Sequence, residues 1–281
     1  MKQPRILVIQ DISASCRISM NVAHPVLSVL NNEVNVLPTA LLSTHTTSGF
    51  TDYTYLDLTD ETDKILKHWK SLGIMFDGIL VGYLGSIAQV ERTKKIVKEF
   101  LNEDGLFILD PVMADAGELY KPFDASYVSA MRELSVDADI LIPNMTEAAF
   151  LSGLPFEDIY KLDVKTLIEK VAEINKDQVI VTGVTTDTEM GAASYNYLNG
   201  AFDVKYAEYI EGHFEGTGDL YTSVVAGLML QGKPVDFAME VAVNYVHKVI
   251  CRTSESGKEI RYGVQFETDL PYLISQLYEE N

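Results

Sequence analysis

Gly216-Thr217-Gly218-Asp219, set directly before an apolar run of helical period, combines the residue types and spacing best suited to chemistry in this sequence. Two glycines let backbone N–H groups converge on an anion, and the positive end of a helix dipole favours it there. A carboxylate at the mouth of such an anion hole suits phosphoryl transfer. In that reaction the protein positions the reactants, neutralises charge and takes a proton from the attacking hydroxyl. The plainer alternative is a Gly-rich turn whose Asp219 only caps the helix. Acidic groups also close two predicted strands: Asp110 precedes Pro111-Val112-Met113, and Glu147 ends Pro143-Asn144-Met145-Thr146-Glu147. Ligands of open α/β sheets bind at the carboxyl ends of strands, where hard carboxylates hold Mg2+ directly or through water. Glu147 also reads as the capping-box partner of Asn144.

Other nucleotide signatures fail. Gly227 to Lys233 has P-loop spacing, but Pro234 replaces the hydroxyl residue that binds magnesium and no strand precedes it, so it reads as a helix-to-helix turn. No Gly-x-Gly-x-x-Gly follows the first strand, which disfavours hydride transfer on a dinucleotide fold.

The elements that must position these residues alternate. Arg5–Gln10, Val34–Leu42, Gly78–Gly82, Leu106–Asp110, Asp139–Pro143 and Gln178–Gly183 read as buried strands. Between them, Ile65, Leu66, Trp69 and Leu72 share one helical face, Ser86-Ile-Ala-Gln89 resembles a capping box, and Val164, Leu167, Ile168, Val171 and Ile174 form an apolar stripe. This βα alternation predicts an α/β fold with a mostly parallel sheet covered on both faces. Ala192–Leu198 and Ala201–Ile210 flank Asn199-Gly200 and predict an antiparallel hairpin edge. Two long helices, Leu220–Leu230 and Val235–Arg252, follow, and a last one starts near Asp269 with Pro271 in its first turn. No repeat or flexible linker interrupts this order, which predicts one domain over residues 1–281.

Of the 281 residues 47% are hydrophobic, a composition of ordinary globular chains. The formal charge of −19 repels nucleic acid and anionic membranes but does not exclude a nucleotide held by backbone N–H groups and a divalent cation. No stretch approaches the roughly 20 apolar residues of a membrane span, and the N-terminus does not read as a signal peptide. With only Cys16 and Cys251, far apart, two unpaired thiols and a cytoplasmic location are expected.

Gly216-Thr-Gly-Asp-Leu, Asp110-Pro-Val-Met, Pro143-Asn-x-Thr-Glu, Gly82-Tyr-Leu-Gly-Ser and Pro38-Thr-Ala-Leu-Leu-Ser-Thr-His-Thr resemble the pyridoxal and pyridoxamine kinases of the ribokinase-like superfamily, over about Ile6 to Arg252. The resemblance implies a three-layer αβα fold and ATP-dependent phosphorylation of the 5′-hydroxymethyl group of a B6 vitamer. It implies Asp219 as base, Gly216, Thr217 and Gly218 as γ-phosphate cradle, and Asp110 and Glu147 as the acidic pair around Mg2+ and the phosphates. Asn144 matches a triphosphate contact and Thr182 a nucleotide-side hydroxyl, with K+ as an assisting ion. Around the pyridine ring it implies Asp11 as a polar contact, Thr46 as a pocket residue and Tyr83 as an aromatic wall. A homodimer is implied too.

Cys16, Ala114 and Glu215 depart from the residues that such kinases usually carry, and all three border the expected site. His45 reads either as a substrate contact or as a loop hydrogen bond. Val241 to Val249 suits an adenine pocket, although the same spacing marks core. The alternatives are a hydroxymethylpyrimidine kinase of the same fold, a non-catalytic binder of pyridoxal phosphate or nucleotide, which would leave Asp219 without a role, and a purely structural protein.

Overall fold

The computed structural model describes residues 3–46, 49–257 and 259–278. The first half of the chain runs β1 (Arg5–Ser13), α1 (Met20–Val29), β2 (Glu33–Leu42), β3 (Tyr55–Asp57), α2 (Thr59–Leu72), β4 (Phe76–Val81), α3 (Ile87–Phe100) and β5 (Leu101–Leu109). A small ribbon of β6 (Ala114–Asp115) and β7 (Glu118–Leu119) leads into α4 (Ala125–Ser135), β8 (Ile140–Leu141), α5 (Met145–Ser152), α6 (Phe156–Ile159) and α7 (Val164–Asn175). The chain ends with β9 (Gln178–Thr185), β10 (Glu189–Asn196), β11 (Phe202–Glu208), α8 (Thr217–Leu230), α9 (Val235–Glu255) and α10 (Leu270–Leu277).

Among the described residues nine strands form one sheet in the order β11-β10-β9-β8-β5-β4-β1-β2-β3, parallel from β9 through β2. Alternate side chains of a strand face opposite sides, and the core divides accordingly. Leu7 and Ile9 of β1 pack under α2, α3, α4, α5 and α7, whereas Ile6 and Val8 pack under α1, α8, α9 and α10. These are the expected helical layers on both faces of a mostly parallel sheet.

Both edges are antiparallel, not one. The second edge, β3, is three exposed residues and leaves no buried period in the sequence. The β10–β11 hairpin turns through Tyr197–Gly200, wider than Asn199-Gly200 alone, with Gly200 left-handed at φ 70 and its N–H donating to the Asn196 carbonyl at 2.9 Å. Ser86 caps α3 by accepting the Gln89 N–H at 3.3 Å, but the Gln89 carboxamide reaches past it to the Gly85 N–H, so the box is half formed. Leu72 lies 60% exposed where α2 ends at the left-handed Gly73, outside the stripe of Ile65, Leu66 and Trp69. Cys16 and Cys251 are both free thiols. No helix among the described residues is long and apolar enough to cross a membrane.

The parallel strands bring Gln10-Asp11, Gly82-Tyr83, Asp110 and the Pro143-Asn144 turn to one end of the sheet. The α8 N-terminus meets them there, because Gly227 packs α8 on Leu27 and Leu30 of the α1 segment and Thr222 reaches Asp110.

Candidate active site

α8 begins after Gly216, whose φ of 82 is a left-handed conformation open to glycine at little cost. A Cβ on Gly216 would come closer than 3.0 Å to the Arg17 carbonyl oxygen. Gly263, at φ 87, approaches the same oxygen, the Arg17 N–H donates to the Tyr262 carbonyl at 2.9 Å, and the Val264 N–H donates to the Glu215 carbonyl at 3.2 Å. The Arg17 carbonyl is thus pinned between two glycines from distant parts of the chain. Gly218 differs: a Cβ there would meet nothing within 4 Å. The cradle therefore has a tight rear wall at Gly216 and an open front at Gly218, where the first-turn N–H groups of a helix lack intrahelical acceptors. Thr217 Oγ1 donates to the Phe214 carbonyl at 3.1 Å and fixes the turn.

Asp219 sits in the first turn of α8. Its Oδ2 accepts the Ser19 N–H at 2.8 Å. Burial of the carboxyl is the main influence on it, the negative fields of Asp110, Asp11 and Glu215 add to it, and together they push its pKa up to about 7 against the Ser19 hydrogen bond. Such a group changes charge at neutral pH, as a general base requires. The Glu215 departure therefore acts on the Asp219 carboxyl itself.

Asp110 ends β5 and accepts the Thr222 hydroxyl at 2.9 Å. Thr222, three residues after Asp219, lies on the same helix face, so one helix holds both carboxyl groups. The Asn144 carboxamide oxygen accepts the Glu147 N–H, and the Glu147 carboxylate accepts the Asn144 N–H, both at 2.9 Å. The capping reading of Glu147 is thus formed in full. Its other oxygen accepts the Met113 N–H at 3.0 Å, and Asn144 Nδ2 donates to the Ala114 carbonyl at 2.9 Å, so the Asp110-Pro-Val-Met-Ala114 loop is stitched onto α5. Burial first, then the field of Asp110, raises Glu147 well above the usual carboxylate range, and burial raises Asp110. Ala114 takes an ordinary backbone conformation, and the left-handed residue of this loop is Ala116, at φ 50. Glu147→Gln turns an amide N–H2 towards one of these backbone donors. It is expected to destabilise the fold by about 1–3 kcal/mol in a urea titration, the cost of a buried hydrogen-bonding group left unmatched.

Thr182 joins this group through a bridge to Asn144, with its N–H on the Pro143 carbonyl at 2.9 Å. It does not end a strand, as the sequence suggests. β9 continues to Thr185 past Gly183, left-handed at φ 76, where the register against β10 shifts and a bulge forms.

On the other side of Asp219, Asp11 is buried, raised by that burial and lowered by the hydroxyls of Ser19 and Ser13 and by the field of His45. Tyr83 is half-buried, tilted against Phe123 with ring centroids 5.8 Å apart, and its phenol is raised by burial and by Tyr55 and Asp11. Thr46 is exposed, and it is His45 that turns inward, donating from Nε2 to the Arg261 carbonyl at 2.6 Å and meeting the Phe50 ring edge-on at 4.9 Å. The Cys16 thiol is buried and pushed up by that burial, unlike a reactive thiolate. Ser19 and Thr222 were not singled out from the sequence. The i, i+3 spacing from Asp219 was the available signal for Thr222, and Ser19 acts largely through its backbone and leaves none.

A family model described as phosphomethylpyrimidine kinase matches residues 65–263. Pyridoxal kinase from Lactobacillus plantarum superposes with a TM-score of 0.89 at 31% identity, over 98% of each chain. A protein described as a phosphomethylpyrimidine kinase from Bacteroides thetaiotaomicron, crystallised with pyridoxal, superposes with a TM-score of 0.89 at 34% identity, over 97% of this chain and 96% of that one. Among curated proteins, pyridoxal kinase of Dictyostelium discoideum is 29% identical over 198 residues. That alignment takes in 65% of this chain and just under two thirds of the relative, 64%.

Proposed function

The chain belongs to the phosphomethylpyrimidine kinase family, within the ribokinase-like superfamily that includes the pyridoxal kinases, and from that premise we propose that it is an ATP-dependent kinase that phosphorylates the 5′-hydroxymethyl group of a B6 vitamer. The observation that carries the reading is Asp219, in the first turn of α8 with its Oδ2 on the Ser19 N–H at 2.8 Å, beside the open glycine cradle. Asp219 takes the proton of the substrate hydroxyl, while Gly216, Thr217 and Gly218 receive the γ-phosphate on backbone N–H groups. Asp11 and Tyr83 hold the ring, Thr46 borders its entrance, and Asn144 and Thr182 line the triphosphate side. All are drawn from a single domain.

The donor set fits Mg2+. Asp110, half-buried, and Glu147, buried, are hard oxygen donors that repel one another, a deficit that a divalent cation relieves. Among the described residues no three side chains form a closed metal cage, in keeping with an ion that takes one or two carboxylates and completes its shell with water and phosphate oxygens. Bound there, the ion would neutralise phosphate charge. Both Glu147 oxygens are engaged by backbone N–H groups, so Asp110 carries the direct contact and Glu147 acts through water and through its field. Asp110→Asn is accordingly expected to raise the Mg2+ concentration for half-maximal rate by about tenfold, read from a magnesium titration at saturating ATP and vitamer. An unchanged titration would remove Asp110 from the metal.

A hydroxymethylpyrimidine alcohol is the second reading, favoured by the description of the family model. A coupled ADP-release assay with Mg-ATP, with and without K+, separates the two when run against pyridoxal, pyridoxamine, pyridoxine, hydroxymethylpyrimidine and ribose. Turnover on a B6 vitamer supports the proposal, turnover on hydroxymethylpyrimidine alone replaces the substrate, and no turnover leaves a non-catalytic binder. A homodimer, in line with the family resemblance, is part of the same proposal.

A further inference from the structure

Gln10, Gly82 and Asp110 stand side by side at the end of the sheet. The β1–β4 register that pairs Ile9 with Val81 continues through the Gly82 N–H, which donates to the Ile9 carbonyl at 3.0 Å. The β4–β5 register that pairs Val81 with Leu109 continues in the same way through the Asp110 N–H, which donates to the Val81 carbonyl at 2.9 Å. Residues two apart in a strand share a face. Val8, Leu80 and Ile108, two positions back, all belong to the core beneath α1 and α8, so the row of Gln10, Gly82 and Asp110 faces α8 as well. The Thr222 hydroxyl of α8 on Asp110 shows the same orientation independently. Neighbouring strands lie about 4.8 Å apart, which puts Gln10 and Asp110 roughly 10 Å apart with only the bare backbone of Gly82 between them. The Gln10 side chain lies across that bare position: a Cβ on Gly82 would overlap its Oε1 and crowd its Cβ and Cδ.

Gln10 is 3% exposed, and its Nε2 is buried with no hydrogen-bond partner among the described residues. Such an orphaned donor weakens a fold, and native structures hold few of them. The row behind it on this face is apolar, so an apolar side chain would fit without that cost, and what a carboxamide adds is a donor. Asp110 takes its hydrogen bond from Thr222 and not from Gln10. The acceptor therefore arrives from outside the chain. The elements around the row are built for an anion, since the first-turn N–H groups of α8 open on this same end of the sheet and the same helix holds Asp110. We infer that Gln10 is a further binding residue, whose carboxamide donates to an oxygen of the transferred phosphoryl group from the β1 side while the glycine cradle holds that group from the α8 side. The inference rests on the proposed reading of this end of the sheet as a phosphoryl-transfer site. The alcohol alone brings no such oxygen, so Gln10 acts on the phosphorylated ligand and on the group in transfer, and not on binding of the unreacted alcohol. A trapped water is the plainer acceptor, and it would leave ligand binding untouched.

Two variants test the contact. Gln10→Met keeps the length of the side chain and removes the donor, and Gln10→Asn keeps an amide but withdraws it by one methylene. Both are titrated by calorimetry beside the unsubstituted protein, at saturating Mg-ADP, with pyridoxine and with pyridoxine 5′-phosphate. The Kd for the phosphate ester is expected to rise about 10-fold in each variant, the scale of one hydrogen bond to a charged group, with the Kd for the alcohol within about 2-fold. Turnover should show the same split, a fall in kcat with the KM for the alcohol unmoved. Gln10→Met is expected to melt no lower than the unsubstituted protein, because the orphaned donor is gone. An ester affinity that does not move assigns the carboxamide to a trapped water and overturns the inference. Equal weakening of ester and alcohol overturns it too, since that marks a structural role. Failure of the premise reads differently: an unsubstituted protein that binds neither Mg-ADP nor the ester and turns over no alcohol removes the site and the inference together, whereas normal turnover with unmoved ester affinity in Gln10→Met removes Gln10 alone. If hydroxymethylpyrimidine is the alcohol that turns over, it and its phosphate ester take the place of the pyridoxine pair.

Discussion

Asp219→Asn is expected to fold, to bind ATP and to lose at least about 10²-fold in turnover, the usual scale for a missing general base. The asparagine is nearly isosteric, and its carboxamide oxygen can still accept the Ser19 N–H, so the loss would report the proton transfer and not a collapsed cradle. The unsubstituted enzyme should slow as pH falls below about 7, because Asp219, with its pKa pushed up to about 7, is then protonated and cannot accept a proton. The residual activity of the variant should lack that limb. Stability should move in the opposite direction. A carboxyl whose pKa is higher in the folded state than its ordinary value of 3.8 penalises folding once it is ionised, a penalty absent below pH 3.8 and complete above about pH 7. Asp219→Asn should therefore melt higher than the unsubstituted protein at neutral pH, with the difference closing as pH falls towards 4. Near-normal turnover in a kinetic assay would end the role of Asp219 as base.

Gly216→Ala carries the second large effect. At φ 82 an alanine is strained, and its Cβ would press on the Arg17 carbonyl, a backbone atom that cannot swing aside as a side-chain tip can. The cradle must shift, and displacements of the order of 1 Å in a reacting array cost about 10²-fold in rate. We expect a loss of that size in kcat, with about 1–2 kcal/mol of stability lost by thermal melting. Gly218→Ala supplies the contrast. Its Cβ meets no protein atom, so the melting temperature should hardly change, while the KM for ATP rises because the methyl group occupies the space meant for phosphate. Equal behaviour of the two variants would contradict the division of the cradle into a wall and an open front.

The parallel strands were legible because burial on both faces writes them as continuous apolar runs, as in Arg5–Gln10 and Gln178–Gly183. β3, β6 and β7 were not, since two or three residues carry no period and β3 is exposed throughout. The glycine turn of the cradle was legible because Gly216 to Asp219 are contiguous, whereas its rear wall at Arg17 and Gly263 comes from distant parts of the chain. What escaped reading were choices settled by distant contacts. His45 and not Thr46 turns inward because the Arg261 carbonyl, 216 residues away, accepts its ring N–H. Glu147 was ambiguous for a different reason: a carboxylate three residues after an asparagine serves a helix cap and a nearby cation by the same chemistry, and only the hydrogen bonds of the fold show the cap to be formed.

The Arg17 carbonyl pinned between Gly216 and Gly263 bears on how the molecule is made. A cradle that needs residues 17, 216 and 263 together depends on contacts across most of the sequence, and loops of such length close late and at an entropic cost. The parallel core can assemble earlier, around β1, β4 and β5. Assembly of the glycine cradle would thus trail that of the core.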